Sequence, residues 1–302
     1  MNVLSLQGGG VLGKGQAVAL RELELDGLKP LWQRFDLVGG TSVGSILGAA
    51  LAVGLPMEAV NRFFDRDAPK IFRHSWRNSV LQLWGEKYDA EALEEALFKL
   101  LGSRTLGDCK TKFIATAFDA DSGRNVYFQS YGNSFENELE VVVAADENSD
   151  VSLFQICRAS AAAQTYFPAE PFWGMTLIDG GNTGNNAPDM LCLTEAIEMG
   201  VPVGSIKMLS IGSGRTRWPV SGMRNPCLLR PALATIKMVF AGGESNAVWQ
   251  AESILGQNHY RLEADLGAGF AIDDASVKTL SDIEFAMESA IARNLNLIEP
   301  FI

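Results

Sequence analysis

The feature that most constrains this chain is a serine set between two glycines, Gly40-Thr41-Ser42-Val43-Gly44. The apolar run before it, residues 35–38, predicts a buried strand, and the run after it, residues 46–53, predicts a helix. This arrangement is typical of a nucleophile elbow, in which the glycines let the chain turn sharply and expose the serine hydroxyl. The 41 preceding residues leave room for about one strand–helix unit and the strand that feeds the turn. Since an α/β-hydrolase places several strands before its elbow, another serine hydrolase fold is favoured.

A glycine-rich turn lies one predicted strand before the elbow. The first six residues read as a short buried strand, and a helical pattern begins at residue 16. Between them lies Gln7-Gly8-Gly9-Gly10-Val11-Leu12-Gly13-Lys14-Gly15. Successive glycines near a helix N-terminus expose backbone N–H groups, which can hold an anion or a developing oxyanion.

Other interpretations of this loop compete with the oxyanion role. Gly8, Gly10 and Gly13 satisfy the dinucleotide pattern G-x-G-x-x-G, but the ribose-binding acid expected about 20 residues later is missing. The loop also matches a phosphate loop until Gly15, which stands where Ser or Thr would ligate magnesium. A tight turn without a ligand is a further alternative. Because the elbow is close, the oxyanion role is favoured. The candidate donors are the backbone amides of Gly8, Gly9, Gly10 and Val11.

A candidate base follows a short apolar segment at residues 175–178. Asp179-Gly180-Gly181 puts a carboxylate at a predicted strand end, where two glycines leave it open to a serine hydroxyl, although such a tripeptide is ordinarily only a turn. The chain contains two histidines, His74 and His259, so a Ser42–Asp179–His259 triad is the rival arrangement. His259 also reads as a packed residue in a short strand, and His74 has no nearby acid. Neither is a convincing base.

With these motifs in this order, the chain resembles the patatin-like phospholipases over most of its length. That family combines a glycine-rich oxyanion loop, a G-x-S-x-G elbow and a D-G-[GA] turn that carries the aspartate of a Ser-Asp dyad. Further matches are Phe35-Asp36-Leu37-Val38, Ala159-Ser160-Ala161-Ala162-Ala163, Thr165-Tyr166-Phe167-Pro168, Asn185-Asn186-Ala187-Pro188 and Leu209-Ser210-Ile211-Gly212-Ser213-Gly214. The resemblance implies catalytic Ser42 and Asp179, no cofactor or metal, and a three-layer α/β/α fold with a central, mostly parallel sheet.

The resemblance also implies an activity, the hydrolysis of fatty-acyl esters of membrane glycerolipids through an acyl-enzyme. Asp179 would take the proton of Ser42 and later activate the water that releases the fatty acid. One departure concerns the oxyanion loop, where the family usually has Arg or Lys and this chain has Leu12. Whether Lys14 supplies that charge instead is left open. Gln7 also replaces a commonly acidic residue.

Size and composition narrow the setting of this activity. The motifs are spread from residue 8 to residue 181, so we expect one hydrolase domain over residues 1–302. With 47% hydrophobic and 20% charged residues the chain reads as an ordinary soluble globule. We find neither an apolar stretch long enough to span a membrane nor a secretion signal. A net charge of −11 disfavours binding to nucleic-acid polymers. A cytoplasmic protein, peripheral at the inner membrane, is the expectation.

Two segments interleave cations with aromatic residues, as an interfacial segment would. In the first, Trp76 and Trp84 would enter the headgroup boundary while Arg73, Arg77 and Lys87 meet phosphates. The second runs from residue 215 to residue 230. The alternative is that both segments pack their aromatic rings inward.

The coarse order of elements implies a parallel or mixed sheet between helices. Besides those already named, the patterns predict helices over residues 56–64, 89–101, 151–163, 187–199, 226–255 and 274–298, and strands over residues 113–118, 125–130, 206–211 and 259–262.

Two other functional classes stay open. One is an acyltransferase that uses the same elbow. The other is a ligand-sensing effector whose lipase output is switched on by a cyclic nucleotide in anti-phage defence, and a homo-oligomeric state is open as well. That group is similar to this chain only in size and architecture.

Overall fold

A computed structural model describes residues 1–25, 29–73, 87–145, 151–217 and 229–302 of the chain. His74, Trp76, Arg77 and Trp84 lie outside these ranges, as does most of the second aromatic and basic segment. The predictions made for them therefore stay predictions.

The described residues form one large mixed sheet and one small strand pair. The strands are β1 (Asn2–Leu6), β2 (Leu37–Thr41), β3 (Lys112–Asp119), β4 (Arg124–Gln129), β5 (Phe135–Glu136), β6 (Glu140–Ala144), β7 (Glu170–Phe172), β8 (Met175–Asp179), β9 (Lys207–Ile211), β10 (Arg215–Arg217), β11 (His259–Leu262) and β12 (Asp265–Ala268). The main order is β11-β9-β1-β2-β3-β4-β6-β5, with β8 added to β3 and β7 to β8, while β10 pairs with β12. From β11 to β3 all neighbours are parallel.

Helices cover both faces of this sheet. They are α1 (Gly13–Leu25), α2 (Val43–Ala52), α3 (Met57–Arg66), α4 (Ala68–Ile71), α5 (Glu91–Leu101), α6 (Leu153–Ser160), α7 (Asp189–Glu198), α8 (Leu229–Leu255) and α9 (Val277–Ile298). Along β1, Leu4 and Leu6 join the core beneath α1 and α2, whereas Val3 joins a second core beneath α7 and α8. This alternation is what a strand buried on both faces produces.

The architecture confirms the predicted α/β fold with a mostly parallel central sheet. The helices and strands expected from the patterns are present with small shifts at their ends. The short strands β5, β6, β7, β10 and β12 were not predicted. No helix of the described residues is long and apolar enough to cross a bilayer.

The feature that matters most for function is a junction on strand β3. Its first half pairs in parallel with β2, which places Thr41 opposite Thr116. Its last residues pair antiparallel with β8, which places Asp179 opposite Ala117. Because β4 occupies the opposite edge of β3, β2 and β8 lie end to end along the same edge. Their carboxyl ends point at each other, and each end carries one of the predicted catalytic residues.

Candidate active site

Ser42 sits on the turn between β2 and α2 in a strained conformation. Its φ is 56° and its ψ −125°, a region in which an L-residue costs roughly 1–3 kcal/mol. The two flanking glycines are sterically required, since a Cβ on Gly40 would lie 2.3 Å from the carbonyl oxygen of Gly44, and one on Gly44 would lie 2.2 Å from that of Leu6. The backbone N–H of Ser42 donates to Ser160 Oγ at 2.9 Å. The strand–turn–helix geometry expected of the elbow is therefore present at Ser42.

Asp179 ends β8 and is almost completely buried, with 1% of its surface exposed. Its Oδ1 accepts a hydrogen bond from the N–H of Gly181 at 2.8 Å, which holds the carboxylate at the start of the following turn. Burial raises the pKa of Asp179 to about 6, and hydrogen bonds from the Ser42 side chain and Gly181 only partly offset that rise. A carboxylate with this pKa, in contact with the serine hydroxyl, has the properties of a general base at neutral pH.

The glycine loop passes in front of the elbow and is held by its flanks. The N–H of Gly8 donates to the Asn186 carbonyl at 2.9 Å, and the N–H of Val11 donates to the Ile272 carbonyl at 2.8 Å. Within the described part of the chain, no hydrogen bond engages the N–H groups of Gly9 and Gly10. Two of the four candidate donors thus anchor the loop, and the two between them remain open.

Lys14 does not face this loop. Its side chain is fully buried between helices, and its Nζ forms ion pairs with Asp65 at 2.8 Å and Glu284 at 3.1 Å. Leu12, in contrast, lines the cavity that holds Ser42. The charge of Lys14 therefore forms ion pairs that join α1 to α3 and α9, and it does not reach the glycine loop.

His259 has a partner other than Asp179. Its Nε2 lies 3.0 Å from Oδ1 of Asp189, and the other carboxylate oxygen of Asp189, Oδ2, accepts a hydrogen bond from Ser5 Oγ at 2.6 Å. His259 belongs to β11, which two strands, β9 and β1, separate from β2. The geometry does not bring the rival Ser42–Asp179–His259 triad together.

A cavity of about 650 Å³ contains Ser42, Asp179 and the glycine loop. Its apolar lining comes largely from the α2–α4 side and the segment before β7. That lining includes Ile46, Phe63, Phe64, Ile71 and Phe167. Its charged lining comes from α8 and from the neighbourhood of β10 and β11. That lining includes Arg215, Glu244, Glu252, Arg261 and Glu263.

Part of this site was missed by sequence reasoning. Asn186 and Ser213 lay in segments noted only as family matches, yet they bind the two sides of Gly8, since the Asn186 carbonyl accepts its N–H and Ser213 Oγ donates to its carbonyl at 2.9 Å. Glu244 and Arg261 carried no signal, because they reach the loop from elements far away in the sequence.

The chain also matches a known protein family. The family model of patatin-like phospholipases matches residues 4–191, more than half of the chain, and spans the glycine loop, the elbow and the Asp179 turn. The chain belongs to the patatin-like phospholipase family. Membership confirms the family inferred from the motifs and makes the chain a lipid acyl hydrolase at the level of the family.

Several relatives agree with this assignment. The chain is 31% identical to a cGAMP-activated phospholipase of Pseudomonas aeruginosa over 271 residues, which cover 87% of this chain and 78% of that protein. It is also 30% identical to patatin-like protein 1 of Arabidopsis thaliana. That match covers 72% of this chain but only 59% of the plant protein. In structure it is similar to VipD from Legionella pneumophila, with a TM-score of 0.55 at 13% identity over 99% of this chain and 67% of VipD. The likeness to VipD supports the fold alone.

Proposed function

We propose that the protein is a serine acyl hydrolase that cleaves fatty-acyl esters of membrane glycerolipids with a Ser42–Asp179 dyad. The observation that carries the proposal is the end-to-end arrangement of β2 and β8 on β3. It brings the strained Ser42 against a buried carboxylate whose pKa is about 6. His259, the alternative base, is already paired with Asp189.

The chemistry follows from these positions. Asp179 takes the proton of the Ser42 hydroxyl as Oγ attacks the ester carbonyl, and the N–H groups of Gly9 and Gly10 stabilise the resulting oxyanion. When the intermediate collapses, the ester C–O bond breaks and the leaving alkoxide takes the proton from Asp179. Water then attacks the acyl-enzyme while Asp179 accepts its proton, and the fatty acid leaves as the proton returns to Ser42.

The lining of the cavity supports a lipid substrate. Apolar side chains such as Phe63 and Phe167 suit an acyl chain, which gains free energy by leaving water. The charged lining near β10 and β11 suits the glycerol and head group. Peripheral contact with the inner membrane is part of this proposal, since the substrate resides in a bilayer.

The test is hydrolysis of vesicles of defined phospholipids, with free fatty acids and lysolipids read by mass spectrometry. Ser42→Ala is expected to release no product, whereas Ser281→Ala, the same change on the exposed face of α9, should behave like the unmodified protein. A fluorophosphonate probe should label the unmodified protein once and leave Ser42→Ala unlabelled. Product release by Ser42→Ala would overturn the proposal.

The same assay separates hydrolysis from acyl transfer. Glycerol or a thiol added at increasing concentration would divert acyl groups from water in an acyltransferase. We expect free fatty acid to remain the main product. Dominant transfer to the added acceptor would assign the alternative reaction to the same dyad.

A second candidate function, a lipase switched on by a cyclic nucleotide in anti-phage defence, is favoured by one observation. The relative that is 31% identical over 87% of this chain is a cGAMP-activated phospholipase. The candidate predicts low basal hydrolysis that rises when cGAMP is added. Hydrolysis that is high without cGAMP and unchanged by it would reject this candidate and leave the dyad intact.

A further inference from the structure

Glu244, on helix α8, makes contacts that neither the elbow nor the dyad explains. Its side chain is mostly buried at the cavity wall, with 23% exposed. Gln7 Nε2 donates to Glu244 Oε2 at 2.7 Å, and Arg261 Nη2 donates to Oε1 at 3.2 Å. The Asn186 side chain also hydrogen-bonds Glu244. One carboxylate therefore joins three residues from different parts of the chain.

Those partners are the residues that hold the start of the glycine loop. Gln7 directly precedes Gly8, and its Oε1 accepts hydrogen bonds from Arg261 and from the N–H of Ser213. Asn186 accepts the Gly8 N–H through its carbonyl at 2.9 Å, and Ser213 Oγ donates to the Gly8 carbonyl at 2.9 Å. Glu244 thus contacts Asn186 directly and reaches Ser213 through Gln7. Asn186 and Ser213 are the residues that orient the Gly8 peptide, which precedes the open N–H groups.

We propose that Glu244 is a positioning residue that fixes the oxyanion loop by tying Gln7 and Asn186 to helix α8. Three consecutive glycines have more conformational freedom than any other tripeptide, and oxyanion donors act only when their orientation is set before the charge develops. The inference rests on the proposed function, because it assumes that Gly9 and Gly10 serve the oxyanion. Glu244 itself touches neither the nucleophile nor the base.

The ionisation of Glu244 gives this role a signature. Burial raises the pKa of Glu244 to about 7; Arg261 opposes the rise, and Glu263 and Asp189 add to it. Arg215 faces the same group of charges through its ion pair with Glu263 at 3.7 Å. Protonation below neutral pH removes the charge that pairs with Arg261, so we expect the loop to be held less firmly and kcat to fall.

The experiment measures kcat and KM on a short, water-soluble ester between pH 5 and pH 9. Glu244→Ala should lower kcat by roughly tenfold to 10²-fold at pH 8 with KM little changed, since a misplaced donor weakens binding of the transition state. Glu244→Gln keeps an acceptor for Gln7 but lacks the charge that pairs with Arg261, so its kcat at pH 8 should lie between those of the unmodified protein and Glu244→Ala, and the limb near pH 7 should disappear. Glu198→Gln, the same change on the exposed face of α7, is the matched control and should keep the unmodified profile.

Several outcomes overturn the inference. Unchanged kcat in Glu244→Ala, a loss confined to KM, or a limb near pH 7 that persists in Glu244→Gln would each do so. Thermal melting of each variant identifies a loss caused by unfolding, and in that case the pH profile of Glu244→Gln decides. Activity retained by Ser42→Ala would instead reject the underlying dyad. Inactive Ser42→Ala together with a fully active Glu244→Ala would reject only the role of Glu244.

Discussion

Two buried aspartates, Asp179 and Asp189, show how different surroundings shift the pKa of the same residue type in opposite directions. Their exposed fractions are 1% and 0%. For Asp179, burial raises the pKa to about 6, because its hydrogen bonds with Ser42 and Gly181 bring no positive charge. For Asp189, burial also acts to raise the pKa, but His259, Arg261 and Ser5 outweigh it and the pKa falls.

The difference in partners distinguishes a carboxylate suited to catalysis from one suited to a structural role. A carboxylate without a cationic partner stays basic enough to accept a proton near neutral pH, which catalysis requires. A carboxylate with a cation nearby and two hydrogen bonds loses that ability and instead joins β1, β11 and α7. Burial alone therefore does not mark a catalytic base. The charged and hydrogen-bonding partners decide whether a buried carboxylate stays basic enough to accept a proton.

The largest expected effect is on turnover at Asp179. Asp179→Asn should lower kcat on a phospholipid by roughly 10³-fold or more, because the nucleophile and its base act as one unit. Asp189→Asn should keep kcat within about threefold, since the side chain of Asp189 hydrogen-bonds His259 and Ser5 and neither residue of the proposed dyad. Both are measured with the fatty-acid assay on variants whose circular dichroism shows a folded state. A comparable loss of kcat in both variants would break the distinction.

A large effect on stability is expected at the other aspartate. Asp189→Ala removes one member of a buried pair and leaves His259 and Ser5 without their acceptor, which should lower the free energy of unfolding by about 3 kcal/mol. Urea denaturation followed by fluorescence measures it. Asp179→Ala should cost far less, because the pKa of Asp179 shows that its charged form is poorly stabilised in the fold. Equal losses would contradict the comparison.

The oxyanion loop should be almost as sensitive as the base. A Cβ on Gly9 would lie 2.3 Å from Ser213 Oγ, so Gly9→Ala must shift the loop and should lower kcat by roughly 10²-fold. Gly200→Ala tests a glycine far from the site, which has a positive φ of 81° but open space around it. That control should change stability slightly and kcat not at all. A fully active Gly9→Ala would remove the loop from the mechanism.

The pKa values predict opposite dependences on pH. Because Asp179 must be ionised to act, kcat/KM should fall about tenfold per pH unit below about pH 6, measured in Glu244→Gln so that one group titrates. For stability the signs differ. Because the pKa of Asp179 is raised, its ionisation disfavours the folded state as the pH rises from its ordinary pKa near 4 to about 6. Because the pKa of Asp189 is lowered, its ionised form stabilises the folded state, and this stability is lost as the pH falls below the ordinary pKa of an aspartate. A pH-independent kcat/KM down to pH 5 would exclude Asp179 as the base.

The smallest effect is expected at the histidine. His259→Ala should leave kcat within about threefold of the unmodified value, because His259 pairs with Asp189, while stability falls by roughly 1–3 kcal/mol from an unpaired buried carboxylate. The ester assay and urea denaturation together test this. A folded but inactive His259→Ala variant would support the Ser42–Asp179–His259 triad and reject the dyad.

Local sequence was sufficient for the motifs that depend on backbone geometry. The elbow around Ser42 and the turn after Asp179 need glycine at defined positions because neighbouring backbone atoms leave no room for a Cβ. Hydrophobic patterns predicted most helices and the strands β1, β2, β3, β4, β8 and β9, since a strand buried on both faces is a short apolar run. The brief strands β5, β7, β10 and β12 are too short to produce a pattern, and the apolar run of β6 was missed.

Tertiary structure decided which of these residues meet. No local pattern specifies that β8 runs antiparallel to β3 and ends where β2 ends, because strand partners are chosen by long-range pairing. The same holds for Lys14, whose burial against Asp65 and Glu284 follows from helix packing, and for Glu244, which reaches the glycine loop across more than 230 residues. The sequence by itself determined that this chain has a candidate nucleophile, a candidate base and a candidate donor loop. Only the fold assembled them, because distances and desolvation, which set reactivity, are properties of the packed chain.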